Sequence, residues 1–141
     1  MKKPAVFLDR DGVLNKDKRY VHKISDFEWV DGAQESIKLL NKKGYFVFVV
    51  TNQSGIGRGF YSDEDVLHLH KHINIVLSKI NAKIDDFFYS PYHHSDSSGK
   101  FEHLKHLRKP NIGMLEAACK KWSVIKEMSL IIGDKEVDML C

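Results

Sequence analysis

The sequence predicts an α/β protein: a parallel sheet with helices on both faces. Two observations carry that expectation. Short apolar, β-branched and aromatic runs alternate with longer stretches of helical periodicity, the pattern of strands joined by crossover helices. The first two apolar runs also empty directly into chemistry-bearing residues, Asp9 and Asp11 after one and Thr51 after the other. That is expected when a site lies at the carboxyl ends of parallel strands.

The first strand is the run from Ala5 to Leu8, followed by Asp9-Arg10-Asp11-Gly12-Val13. Residues i and i+2 of an extended chain point the same way, so Asp9 and Asp11 can face one site, and Gly12 permits the turn after them. Lys16 to Val30 is polar and aromatic without clear periodicity, and its length suits a substrate-facing loop. Ala33 to Lys42 reads as an amphipathic helix, with Ile37, Leu39 and Leu40 apolar and Gly44 as its stop. Tyr45 to Val50 is a buried parallel strand. It leads into Thr51-Asn52-Gln53-Ser54-Gly55-Ile56-Gly57-Arg58-Gly59, whose glycines and polar groups suit a backbone cradle for phosphate oxygens.

Ser62-Asp63-Glu64-Asp65 opens a long helix running to about Asn81, with its acids at the positive end. His68, His70 and His72 lie on it. Spacing of two spreads them around the helix, so they read as exposed or partly buried residues rather than a metal cluster. Asp86 to Ser90 is the third strand. Pro91 to Arg108 is a loop holding His93, His94, His103 and His106, and Asn111 to Trp122 a helix with Met114, Leu115, Ala118 and Cys119 on its apolar side. Ser129 to Gly133 reads as a fourth buried strand, ending in Asp134.

With 141 residues, 43% of them hydrophobic, the chain has enough material for one domain with a real core. A net charge of +3 is met as well by an anionic small substrate as by nucleic acid, and no basic cluster is interleaved with aromatics, so no nucleic-acid partner is expected. Cys119 and Cys141 offer neither a disulfide framework nor a cysteine zinc site. No signal peptide precedes Met1-Lys2-Lys3-Pro4 and no apolar run spans a bilayer, so the chain reads as soluble and cytoplasmic, with no membrane partner. Two carboxylates at the end of a buried strand repel unless a cation lies between them. Magnesium fits, because it prefers oxygen ligands.

The segment Asp9-Arg10-Asp11-Gly12-Val13 resembles the D-x-D-G-[TV] signature of the haloacid dehalogenase (HAD) superfamily. That superfamily's later motifs follow in order: Thr51, Lys109, and Asp134 with Asp138. The closer resemblance is to heptose bisphosphate and histidinol-phosphate phosphatases. It rests on Leu8-Asp9-Arg10-Asp11-Gly12, Thr51-Asn52-Gln53-Ser54-Gly55-Ile56, Arg108-Lys109-Pro110 and Gly133-Asp134-Lys135.

The resemblance implies a Rossmann-like, HAD-like fold and a magnesium-dependent phosphatase. Asp9 would be the nucleophile and Asp11 the acid and base, with Thr51 and Lys109 on the transferring phosphoryl group. Asp9, Asp11 and Asp134 would hold Mg²⁺, and Asp138 would orient Lys109 or a metal-bound water. Asp17, Arg19, Tyr20, Asn52, Gln53, Ser54, Arg58 and Arg108 would contact a phosphorylated sugar, with Lys135 a neighbour of the site. Arg19 stands where the heptose phosphatases carry the glycine of a Gly-Tyr-Val loop. The implied reaction is removal of the 7-phosphate of D-glycero-D-manno-heptose 1,7-bisphosphate. Histidinol phosphate or another small sugar phosphate is the alternative substrate, and a non-catalytic phosphosugar-binding protein the alternative class.

Similar phosphatases continue with another helix, strand and helix beyond the position where this chain reaches Cys141. Residues 1–141 are therefore expected to form a single domain, C-terminally short and lacking the last strand and helices. Its fourth strand would lie at a sheet edge with apolar surface uncovered, which invites self-association. Many relatives place a structural zinc after the third strand through Cys-x-His and Cys-x-Cys. Here Ser90, Tyr92, Lys105 and Leu107 fall at those positions, so no structural zinc is expected.

Overall fold

The computed structural model describes residues 2–18, 20–53, 55–56, 58–90 and 113–133. Four parallel strands, β1 (Ala5–Leu8), β2 (Phe46–Asn52), β3 (Asp86–Ser90) and β4 (Leu130–Ile132), form one sheet in the order β3-β2-β1-β4. The helices are α1 (Ala33–Lys42), α2 (Asp63–Ser78) and α3 (Gly113–Lys121). Successive strand side chains point to opposite faces, and both faces are apolar because both are covered. Val6, Leu8, Val47 and Val49 pack with Ile37 of α1 and with Leu69, Ile73 and Leu77 of α2. Ala5, Phe7, Phe46, Phe48 and Val50 meet Met114 and Ala118 of α3 on the other face. This is the expected α/β class.

Most element ends follow local signals. Helix α1 spans the expected residues, and Gly44 beyond it takes the left-handed φ of 86°. Helix α2 begins with a capping box in which Ser62 accepts from the Asp65 N–H and Asp65 accepts from the Ser62 N–H. It ends at Ser78, earlier than the expected Asn81. Strand β2 extends two residues past Val50, so Thr51 and Asn52 belong to the strand, opposite Tyr89 and Ser90 of β3.

One expectation needs correction. Strand β4 is not buried: Leu130, Ile131 and Ile132 are 56%, 40% and 45% exposed. Its composition is that of a core strand, but among the described residues it has one strand neighbour, β1, and lies at the sheet edge. The segment from Lys16 to Val30 is an irregular loop, as expected, and it is pinned at both ends. Lys16 N–H donates to Glu28 O, Val30 N–H to Leu14 O, and Asn15 bridges Trp29 in antiparallel fashion. A single 3-10 turn, Ile24–Asp26, closes the excursion.

Candidate active site

Strand order reverses direction at β1, with β2 on one side and β4 on the other. The crevice at the carboxyl end of β1 is therefore the natural ligand site. Asp9 follows Leu8 there, 6% exposed, with its N–H bonded to Ile132 O and its Oδ1 accepting from the Arg10 N–H at 2.8 Å. A tight turn follows. The Arg10 carbonyl accepts from the N–H groups of Val13, Leu14 and Asn15, while Gly12, at a φ of 90°, donates to Asn15 O.

The Asp11 carboxylate gathers groups from three parts of the chain. Its Oδ1 accepts from Arg10 Nε (3.3 Å), Arg10 Nη2 (3.1 Å) and Asn15 Nδ2 (3.0 Å), and its Oδ2 from Gln53 Nε2 at 3.4 Å. Gln53 Nε2 also donates to Thr51 Oγ1 at 2.8 Å. Asp11, Thr51 and Gln53 thus meet at the ends of β1 and β2. Thr51 and Gln53 are each 1% exposed.

Tyr61 was not singled out in the sequence. Its hydroxyl donates to Gln53 Oε1 at 2.7 Å, which orients the Gln53 amide toward Asp11 and Thr51. Burial, far more than the nearby Asp11 charge, keeps this phenol protonated by pushing its pKa upward. The ring fits because residue 55 is glycine: a Cβ there would lie 2.1 Å from Tyr61 Cε1. His22 stacks on Tyr61 at 4.5 Å and donates from Nδ1 to Tyr20 O at 2.7 Å. Tyr20 holds a left-handed φ of 50°.

In the loop after β2, four N–H groups of the described residues already have partners. The N–H groups of Gln53, Ile56, Gly59 and Phe60 donate to Ser90 O, Gln53 O, Ile56 O and Gly55 O. Folding the turn on itself uses those donors. Farther out, Arg58 donates to the Tyr20 hydroxyl and lies over the Tyr20 and Phe60 rings, at 5.6 and 5.0 Å from their centroids. These exposed groups flank the site. Asp17 is exposed on the 16–30 loop between Lys16 and Lys18, both paired with Glu28, and Asn52 is half-buried at the end of β2.

Arg10 and His70 are the other residues that sequence reasoning missed. Arg10 is wholly buried, and the expectation that His70 lies exposed or partly buried on its helix is wrong: it is 3% exposed. His70 Nε2 lies 3.3 Å from Arg10 Nη1, and its ring stacks on Phe87 at 4.4 Å. Arg19, Ser54, Arg108, Lys109, Asp134, Lys135 and Asp138 lie outside the described residues, as do His93, His94, His103, His106 and the zinc-loop positions Tyr92, Lys105 and Leu107. No cluster of three or more His, Cys, Asp or Glu side chains suited to a metal occurs among the described residues. The donor chemistry still fits magnesium: Asp9 and Asp11 offer hard oxygens at one strand end, beside the carboxyl end of β4. No helix among the described residues is long and apolar enough to cross a membrane.

A parallel sheet in this order, with paired aspartates after β1 and a threonine near the end of β2, is that of a HAD-like phosphatase. The family model for polynucleotide kinase 3 phosphatase matches residues 5–136. The chain is 40% identical over 135 residues to D-glycero-beta-D-manno-heptose-1,7-bisphosphate 7-phosphatase of Haemophilus influenzae, an alignment covering 96% of this chain and 73% of that protein. Among solved structures it resembles a HAD-like phosphatase of Mesorhizobium loti (TM-score 0.89, 34% identity, 99% of this chain and 66% of that one). It also resembles D,D-heptose 1,7-bisphosphate phosphatase of B. bronchiseptica complexed with magnesium and phosphate (TM-score 0.83, 26% identity, 99% of this chain and 74% of that one). The chain belongs to this family of HAD-like phosphatases, alongside the heptose bisphosphate phosphatases.

Proposed function

We propose that this chain is a magnesium-dependent phosphatase that removes the 7-phosphate of D-glycero-D-manno-heptose 1,7-bisphosphate. The observation that carries the reading is the meeting of Asp11, Thr51 and Gln53 beside Asp9, in a chain 40% identical to an enzyme named for that reaction. The Asp9 carboxylate attacks phosphorus and the bond to the sugar oxygen breaks, leaving an aspartyl-phosphate. Asp11 gives its proton to the departing oxygen. It then takes one from the water that releases inorganic phosphate and restores Asp9. Thr51 accepts from Gln53 at Oγ1 and keeps its own O–H to donate to a phosphoryl oxygen.

Asp9, the Asp11 carbonyl and Asp134 would hold Mg²⁺, which when bound offsets the repulsion between nucleophile and phosphate. Lys109 would add positive charge at the transferring group. Arg108 would pair with the second phosphate, with Asp17, Arg19, Tyr20, Asn52, Ser54 and Arg58 contacting the sugar.

The test is phosphate release from a panel: the heptose 1,7-bisphosphate, histidinol phosphate, other sugar phosphates and, given the family's name, a 3′-phosphorylated oligonucleotide. The bisphosphate should give the highest kcat/KM, and excess chelator should stop turnover. Asp9→Asn should remain folded and inactive, with no hydroxylamine-labile phosphoenzyme. Turnover by Asp9→Asn near the wild-type rate would eliminate the covalent mechanism. Preference for another substrate would reassign the sugar but not the chemistry.

A further inference from the structure

We infer that Arg10 and His70 are positioning residues that fix Asp11 with one carboxylate oxygen, Oδ2, turned toward the reacting phosphate. The inference rests on the reading of Asp11 as the proton donor. Three N–H donors converge on Asp11 Oδ1, two from Arg10 and one from Asn15. Among the described residues Oδ2 meets only the longer contact from Gln53, the residue that also touches Thr51. The oxygen on the phosphoryl side is therefore the one left for proton transfer.

A carboxylate held this way needs a rigid partner, and Arg10 is held on every side. Its Nη2 also donates to Val21 O at 2.5 Å, and its Nη1 faces His70 Nε2 at 3.3 Å. A guanidinium has no acceptor atom, so His70 Nε2 must present its lone pair and the ring is the Nδ1–H tautomer. That Nδ1 is buried without a hydrogen-bond partner among the described residues. The side chain lies on the inward stripe of α2 with Val66, Leu69, Ile73 and Leu77, where a leucine would fill the same space. A polar ring kept there with one nitrogen unsatisfied costs stability, which its bond to Arg10 offsets only in part. What the histidine provides and leucine would not is an acceptor for the fourth side of a buried guanidinium.

Proton donation matters most when the leaving oxygen is strongly basic. The experiment therefore compares kcat/KM of the full chain with Mg²⁺ on p-nitrophenyl phosphate, whose leaving group needs little protonation, and on phenyl phosphate, whose leaving group needs more. Asp11→Asn is the reference and should lose far more on phenyl phosphate. His70→Leu and Arg10→Lys should show the same selectivity, at least tenfold greater loss on phenyl phosphate. His70→Gln, which restores an acceptor, should recover most of it. Equal losses on both substrates in His70→Leu and Arg10→Lys, beside a selective Asp11→Asn, would overturn the inference and leave the two residues purely structural. An Asp11→Asn variant without selectivity would instead overturn the acid role beneath it. Should His70→Leu fail to fold, Arg10→Lys decides the matter, because it keeps the charge and loses only the planar fork.

Discussion

His70 carries a consequence for acid stability. Burial first, and the Arg10 charge second, pull its pKa from 6.5 down to about 3. The folded chain keeps the ring neutral while an unfolded chain takes up a proton below about pH 6.5. The unfolded state then binds more protons, so stability falls as the pH drops from about 6.5 toward 3. The slope from this one group approaches ~1.4 kcal/mol per pH unit. His70→Gln keeps an acceptor and cannot titrate, so urea denaturation between pH 7 and 4 should show a shallower acid limb. An unchanged limb would assign the sensitivity elsewhere. Gly55 gives a second test at this scale. Gly55→Ala drives a methyl into the Tyr61 ring and should cost about 1–3 kcal/mol, the usual range for overpacking. Pairing it with Tyr61→Ala should cost less than the two single losses added, because the clash then has no partner. Strict additivity in the denaturation midpoints would show that the Gly55 requirement lies elsewhere.

Among the elements, the attachment of α3 to β3 depends on one carboxylate. Asp86 at the start of β3 accepts from Trp122 Nε1 at 3.0 Å and from Lys121 Nζ at 2.7 Å, just as α3 ends. Burial alone would raise its pKa. The bonds from Lys121, Trp122 and the Phe87 N–H outweigh that and hold it below the usual carboxylate range. Trp122 in turn packs on Phe46 and Phe48 of β2. Asp86→Ala should lower stability by about 1–2 kcal/mol, leaving the indole N–H half-buried without an acceptor. A red-shifted, more quenchable tryptophan emission should accompany the loss. Unchanged melting and emission would mean that the aromatic packing suffices to hold α3.

At the level of the whole molecule, β4 forms one edge of the four-stranded sheet among the described residues. Leu130, Ile131 and Ile132 of β4 are exposed, and shallow grooves of about 290 and 260 Å³ flank the strand on the two sheet faces, one lined by Phe7, Leu115 and Ile131, the other by Leu8, Leu40 and Ile132. Exposed apolar strand edges pair readily. This 141-residue chain should therefore self-associate at micromolar concentration, and Ile131→Lys should shift it toward monomer in sedimentation velocity. A monodisperse wild-type monomer would contradict the expectation.

Local patterns alone determined much of this protein. Strands β1 and β3 and helix α1 were legible because each follows from an apolar run, helical period or a glycine stop within a few residues. The order of Asp9, Asp11 and Thr51 placed them at strand ends for the same reason. The tertiary structure decided what depends on distant neighbours. Arg10 and His70 are 60 positions apart and meet only because α2 packs over the end of β1. His70 lies four residues after Val66 and three and seven before Ile73 and Leu77, so its spacing, unlike that of His68 or His72, puts it on the apolar stripe; only the fold shows that the stripe delivers it to Arg10. Tyr61 reaches Gln53 only because the loop after β2 folds over Gly55, where a side chain would collide with the ring. Strand β4 has the composition of a buried strand, yet burial is a property of its neighbours, and at a sheet edge it has one.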